Sequence, residues 1–253
     1  MRKVQKYGWI HDLPDHRDYL YAAPPAVLAT LPPSIDLRAQ CPPVYDQGQL
    51  GSCTANAIAG AMEFDEMKQK FPNIFVPSRL FIYYNERSIE GTVNSDSGAQ
   101  IRDGIKSVVS WGDCPETLWP YDITKFVQKP PQSCYDQAKK YKAINYQRLV
   151  QDLNQFKSCL ASGYPFVFGF TVYESFESQQ VAQTGVVSMP SPTEKAIGGH
   201  AVVAVGYDDA SQRFAVRNSW GSNWGMKGYF TMPYAYLIGS SLASDFWTIR
   251  VIL

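Results

Sequence analysis

A two-lobed α+β chain is predicted from three features of the 253-residue sequence. Helix-favouring stretches gather in the first half, β-favouring runs gather in the second, and an apolar content of 45% is enough to bury a core. With 18% charged and 14% aromatic residues, a disordered or collagen-like chain is excluded. The 23 basic and 23 acidic side chains cancel and no basic block stands out, so there is no electrostatic footprint for a nucleic acid. No apolar run reaches the length of a membrane span. Met1 to Trp9 carries charge and is followed by His11, Asp12, Asp15 and Arg17, so no apolar core of a secretory signal is visible. Removal of a signal before this numbering begins stays open, and with it the compartment.

Residues 1–30 hold Pro24 and Pro25, with Pro32 and Pro33 just beyond. Proline blocks helix and favours extended chain. This stretch is expected to be an arm or pro-segment laid over a body formed by residues 31–253. Within the body a helical lobe is expected over about 40–145 and a β lobe over about 146–253. The turn-rich Cys41-Pro-Pro-Val-Tyr-Asp-Gln-Gly-Gln-Leu-Gly51 gives way to a helix-favouring stretch from Cys53 to Lys70. There Ala55, Ala57, Ala59 and Ala61 predict a helix buried on most sides, with Ser52 as its N-cap. Further helices are predicted over Ser78–Ile89 and Ala99–Ser110, among the turn residues Pro77, Gly91 and Gly112. Strands are predicted at Phe166–Tyr173, His200–Tyr207, Arg213–Asn218, Gly228–Met232 and Phe246–Val251. In the first of these Phe166, Phe168, Phe170 and Val172 alternate onto one face.

The five cysteines are Cys41, Cys53, Cys114, Cys134 and Cys159. The number is odd, so at least one stays unpaired within the chain. None forms a C-x-x-C, and with only three histidines the spacings of a structural zinc site are missing; no metal is expected. Cys53 stands where a helix begins, and the positive end of the helix dipole favours thiolate there. The segments His200–Tyr207 and Arg213–Asn218 flank a turn-favouring cluster, Asp208 to Gln212. A hairpin centred near Asp209 would oppose His200 and Asn218 with their Cβ atoms about 5 Å apart. The asparagine carbonyl could then hold one imidazole nitrogen and leave the other for a thiol. Gln47, in the turn before Cys53, could aim its amide at a carbonyl attacked by the sulfur. With the Cys53 backbone N–H it would form an oxyanion hole.

Three stretches together are highly specific: Gln47-Gly-Gln-Leu-Gly-Ser-Cys53, Gly198-Gly-His-Ala-Val-Val-Ala-Val-Gly-Tyr207 and Asn218-Ser-Trp-Gly-Ser-Asn-Trp-Gly225. They resemble the signatures of the papain-like cysteine proteases, and the arm motifs Gly8-Trp-Ile10 and Leu13-Pro-Asp-His-Arg-Asp18 before a short linker resemble the prokaryotic members. His200 follows Cys53 within the roughly 130–150 residues usual for that family. The resemblance covers about Pro32 to Val251. It implies a papain-like fold with a helical left lobe, an antiparallel β-barrel-like right lobe and a cleft between them. It further implies Cys53 as nucleophile, His200 as general base and acid, Asn218 as its orienter and Gln47 as oxyanion donor. Trp220 matches the indole that covers the His–Asn pair, and Trp224 a second indole on the leaving-group side.

Departures from the family pattern are visible. Leu50 stands where the family has a cysteine, and Asn94-Ser-Asp-Ser-Gly98 lacks the partner, so that disulfide is absent. Thr54 replaces the usual aromatic. Gly98 is the best match for the glycine whose backbone pairs with substrate. Asp245 falls where the floor of the S2 pocket lies; facing the pocket it would favour a basic P2 side chain, whereas alternation with a buried Phe246 would put it at the surface. In place of a long helical pro-region there is only the extended arm, whose residues Tyr7 to Pro25 are expected to dock near or across the cleft. The resulting expectation is a monomeric endopeptidase. It would cleave a peptide or protein substrate through a thioester acyl-enzyme, with no cofactor. Two alternatives remain: a non-catalytic peptide-binding module of the same fold, and an amide-transferring enzyme using the same residues.

Overall fold

The computed structural model describes residues 6–252, so the first five residues of the arm and Leu253 lie outside it. The chain runs β1 (Trp9–Ile10), α1 (Pro25–Leu28), β2 (Ser34–Asp36), α2 (Cys53–Lys68), α3 (Arg79–Glu90), β3 (Ala99–Gln100), α4 (Ile101–Ser110) and α5 (Gln132–Ala138). It continues through β4 (Ala143–Arg148), α6 (Leu153–Ala161), β5 (Phe166–Tyr173), α7 (Gln179–Thr184), β6 (Ala196–Asp208), β7 (Arg213–Arg217), β8 (Tyr229–Pro233), α8 (Tyr234–Ile238) and β9 (Ala243–Ile252). Seven strands form one sheet in the order β4-β9-β5-β6-β7-β8, with β2 added on β6. The expected barrel does not close: β4 and β8 stand at opposite edges of an open sheet.

Helix α2 explains its own composition. Every residue from Cys53 to Glu66 is buried, because α3 and α4 pack on it from one side and β6 and β9 from the other. Alanine suits a helix with neighbours all round, since it lets other backbones approach. Ser52 precedes it but does not cap it. Its hydroxyl is taken by Tyr121 Oη at 2.5 Å and by Asn56 Nδ2 at 3.1 Å. Ser78 does cap α3, accepting from the Phe81 N–H at 3.2 Å, and Gly91 ends that helix in the left-handed region.

The third predicted helix starts two residues late. Ala99 and Gln100 instead pair in parallel with Trp9 and Ile10 of the arm, and a partner distant in sequence overrides local preference. Strand β5 is buried on both faces rather than one, as the centre of the sheet between β9 and β6. Helix α6 was not expected in the second half. Asp152 caps it, accepting from the Asn154 and Gln155 N–H groups at 2.9 and 3.0 Å, and Phe156 stacks on Phe166 and Phe246 with centroids 5.1 and 4.4 Å apart. The arm belongs to the core: Tyr7, Trp9, Tyr21 and Ala23 are all buried in the same cluster as the sheet residues. No helix among the described residues is long and apolar enough to cross a membrane.

Candidate active site

Cys53 opens α2 and is wholly buried. The backbone N–H groups of Ala201, Gly8 and Thr54 act on its thiol and favour the thiolate. Ala201 directly follows His200 on β6, so the packing of α2 against β6 brings the sulfur to the imidazole's strand. His200 is equally buried, and its Nε2 pairs with Asn218 Oδ1 at 2.8 Å. Its Nδ1 has no hydrogen-bond partner among the described residues.

The pairing of His200 with Asn218 is not the direct opposition expected. A bulge between Ala204 and Gly206 shifts the β6–β7 register, so that Val203 faces Arg217. Continued by one residue, that register sets Asn218 opposite Val202 and makes His200 its diagonal neighbour. Diagonal side chains start about 7–8 Å apart but long ones still meet. Asn218 Oδ1 also accepts from the Ser219 N–H at 2.8 Å, which holds its amide in place. The Trp220 ring lies on the imidazole, centroids 5.1 Å apart and 33° between planes, and Trp224 packs edge-on to Trp220 at 5.2 Å. Phe170 and Phe176 close the other sides of the histidine.

Gln47 is buried and braced. Its Nε2 donates to Leu50 O at 2.9 Å and its Oε1 accepts from Ser219 Oγ at 2.6 Å. The Gln47 N–H donates to Ser219 O, and Tyr121 Oη donates to Gln47 O at 3.0 Å. The turn before α2 is thus sewn to the segment that carries Asn218 and Trp220. Nothing in the sequence signalled Ser219 and Tyr121 as its supports, since their role depends on contacts between distant segments.

The arm fills the groove over these residues. Gly8 O accepts from the Ala99 N–H at 2.8 Å. A Cβ on Gly98, which has φ +75°, would stand 2.1 Å from Gly8 O, and one on Gly8 would stand 1.7 Å from Gly51 O. Only glycines allow three backbones this close. Tyr7 lies edge-on to His200 at 6.1 Å and donates to Glu177 at 2.5 Å. Trp9 rests against Gly169 and Gly199, where a Cβ on either would strike its ring. Its Nε1 donates to Asp245 Oδ2 at 3.2 Å.

Asp245 is neither at the surface nor empty-handed. It is 3% exposed and also accepts from the Asp12 N–H at 2.9 Å and Arg148 Nη2 at 3.1 Å. Asp12 accepts in turn from the Arg102 N–H and from Trp247 Nε1, at 3.0 and 2.9 Å. Asp18 bridges Arg102 and Arg148 at 2.6 and 2.9 Å. These arginines, which clamp the arm to the body, were not legible in the sequence: each is an isolated charge until the fold gathers them.

Burial decides the charge state. It pushes the Cys53 thiol up to about 12, with the nearby Glu86 adding to the effect and the three backbone N–H groups opposing it. It pushes His200 down to about 4, against a smaller opposing pull from Asn218. Under the docked arm burial thus favours the neutral thiol and the neutral imidazole, against the helix dipole, which alone favours thiolate. All five cysteines are free thiols. Among the described residues no cluster could hold a metal ion.

Residues 31–241 match the papain family cysteine protease pattern. A peptidase C1-like protein of Acanthamoeba polyphaga mimivirus is 47% identical over 270 residues, spanning 97% of this chain and 87% of its own. The crystal structure of xylellain, a cysteine protease from Xylella fastidiosa, is 47% identical, superposes with a TM-score of 0.92 and covers 100% of this chain and 99% of its own. Bovine pro-cathepsin H is 28% identical over 238 residues, which are 85% of this chain and 66% of that protein. A digestive procathepsin L 3 of Tenebrio molitor, at 19% identity and a TM-score of 0.73, shares the fold over 98% of this chain and 76% of its own. With the signature stretches gathered at one buried site and the match running through most of the sequence, the chain belongs to the papain family of cysteine proteases.

Proposed function

We propose that Cys53, His200, Asn218 and Gln47 carry the peptide hydrolysis of this cysteine protease, and that the arm gates it. The assignment rests on one observation: His200 is held through Nε2 by Asn218, while its Nδ1 is left without a partner on the strand where the next residue, Ala201, acts on the Cys53 thiol. Once the arm leaves and water and substrate enter, desolvation falls and a thiolate–imidazolium pair becomes accessible. The thiolate attacks the scissile carbonyl and the amine leaves with the proton of His200. Water activated by the same imidazole then hydrolyses the thioester. Asn218 and Trp220 keep the ring oriented and shielded. Every group invoked belongs to one chain, so a monomer suffices and no cofactor is needed.

The Gln47 amide spends one N–H on Leu50 and has a second for the oxyanion, beside the Cys53 backbone N–H. Gln47→Ala is expected to lower kcat by about 10²–10³-fold with little change in KM. Equal kcat values for the variant and the parent on a fluorogenic peptide would remove Gln47 from the mechanism.

The direction of the arm supports a gate rather than a substrate. Tyr7 lies on the leaving-group side, against His200 and Trp220, and Trp9 on the acyl side, beside Ala99. A substrate runs from acyl to leaving-group side, N to C; the arm runs the opposite way. Gly98 is proposed as the backbone partner of substrate, at the place Gly8 now occupies. Asp245 is proposed as the floor of the neighbouring pocket. Since Arg148 already meets its charge, an aromatic donor such as the Trp9 indole fits it better than the basic side chain the sequence suggested.

Docking of the arm should depend on pH. Burial, and then the adjacent Asp245 charge, raise Asp12 from 3.8 to about 6, while the Arg102 N–H, Trp247 and the Arg102 charge oppose. The docked state therefore holds this proton more tightly than the free arm. Its contribution to docking is fully present below about pH 4 and is lost as pH rises through about 6. Asp12→Asn should flatten the rise in Cys53 alkylation between pH 4 and 6.5, measured by mass spectrometry with the thiol's own pH slope subtracted. Parallel profiles for variant and parent would exclude Asp12 as the titrating latch.

A further inference from the structure

Away from the active site, Cys114 and Cys134 form a buried thiol pair that the peptidase reaction does not use. Both are fully buried in a small cluster with Phe81 and Ala138, separate from the main core. In that cluster of four buried residues the two thiols are near enough to act on each other's ionisation. Cys41 and Cys159 lie elsewhere, the first against Leu37 O and the second beside Arg250. Cys114 sits on a fixed segment, its carbonyl accepting from the Ser78 N–H at 2.8 Å. Cys134 rides on the short outer helix α5. Trp111 and Tyr135 cover the pair, and these same side chains line an open hollow of about 370 Å³ together with Lys129 and Gln132. A shift of either aromatic ring would thin the cover between this hollow and the cluster.

The loop between the two cysteines carries Tyr121, whose hydroxyl meets Gln47 O and Ser52 Oγ and whose ring lies under Arg79 at 4.0 Å. We propose that Cys114 and Cys134 are a redox site, joined as an intrachain disulfide that staples this loop under the turn before α2. Formation is by exchange with a low-molecular-mass disulfide such as oxidised glutathione. One protein thiolate attacks a glutathione sulfur and breaks its S–S bond, expelling a first glutathione thiolate. The second protein thiolate then attacks the mixed disulfide and expels the other. The two protons lost by the cysteines end on the two glutathione thiols, and the protein loses two electrons as the glutathione disulfide gains them. Burial raises both thiols, so the closed cluster reacts slowly and exchange runs through transient opening.

The test uses the full chain with Cys53→Ala, which removes the competing nucleophile and self-digestion. It is equilibrated in reduced and oxidised glutathione at graded ratios, denatured, alkylated and mapped by mass spectrometry. A linked peptide pair joining 114 to 134 is expected, reversed by dithiothreitol, with Cys41 and Cys159 still alkylated. Closing a loop of this length should raise the thermal midpoint by roughly 5–10 °C. Cys134→Ser should lose both the link and the gain, and Tyr135→Ala, which thins the cover, should form the link at least roughly tenfold faster. The proposal is overturned if both thiols stay alkylatable in the most oxidising buffer in Tyr135→Ala and after refolding in that buffer. A link to Cys41 or Cys159 would overturn it equally, and a link without any rise in midpoint would end the staple.

Discussion

Cys53→Ala is expected to lower peptidase turnover by at least about 10³-fold while leaving the thermal midpoint within a few degrees of the parent. The chemical half follows from the bond that must form: without the sulfur there is no acyl-enzyme, and the remaining oxyanion donors and binding contacts alone supply little rate. The structural half follows from position. Cys53 is the first residue of α2, and the burial of that helix is secured by Ile58, Met62 and Phe64 further along. Loss of one sulfur atom leaves a small cavity at its tip, toward the lower end of the usual cost of core truncation. Turnover of a fluorogenic peptide, measured beside calorimetry, separates the two. A variant that keeps a tenth of the parent rate would place the nucleophile elsewhere, and one that no longer folds would show that Cys53 is a structural residue first.

Trp9→Ala is expected to raise both the rate of Cys53 alkylation and kcat/KM by about 10²-fold. Trp9 is 6% exposed, lies against Gly169 and Gly199 and donates to Asp245. Truncating a buried tryptophan costs about 3–5 kcal/mol. Here most of that loss falls on the docked arm rather than on the body, which keeps its own sheet and helices, so it acts on the balance between closed and open cleft. A bias of that size shifts a two-state population by two orders of magnitude or more, limited by the open fraction already present. Substitution is a cleaner probe than deleting residues 1–30, because Tyr21 and Ala23 pack on α6 and their loss would expose the core: Tyr21 Oη meets Ser158 Oγ at 3.1 Å and the Ala23 N–H donates to Gln155 at 3.0 Å. Alkylation and kcat/KM within twofold of the parent would mean that the arm does not limit access.

The fold was legible where sequence neighbours decide it. The alanine run of α2, the Ser78 and Gly91 boundaries of α3 and the apolar β5 all come from short-range rules, and they hold. What went unread had partners far away in the chain. The hydroxyl of Ser52 bonds Tyr121 instead of capping, Ala99 and Gln100 leave α4 for the arm, and α6 depends on phenylalanines from β5 and β9. The register joining His200 to Asn218 was misread for the same reason, since a bulge inside β6 is not visible in a hairpin's alternation.

The sequence by itself determined which groups the proposed chemistry would use: a cysteine at a helix start, a histidine and an asparagine in neighbouring segments of the β lobe, and a glutamine in the turn before the helix. Residue type and order are enough for that, because the reaction needs those groups and little else. Only the tertiary structure decided their present charge state and accessibility. Ionisation depends on how much water reaches a group. That water is excluded by Tyr7, Gly8 and Trp9, which approach from the other end of the chain and are held by Asp12, Asp18, Arg102, Arg148 and Asp245.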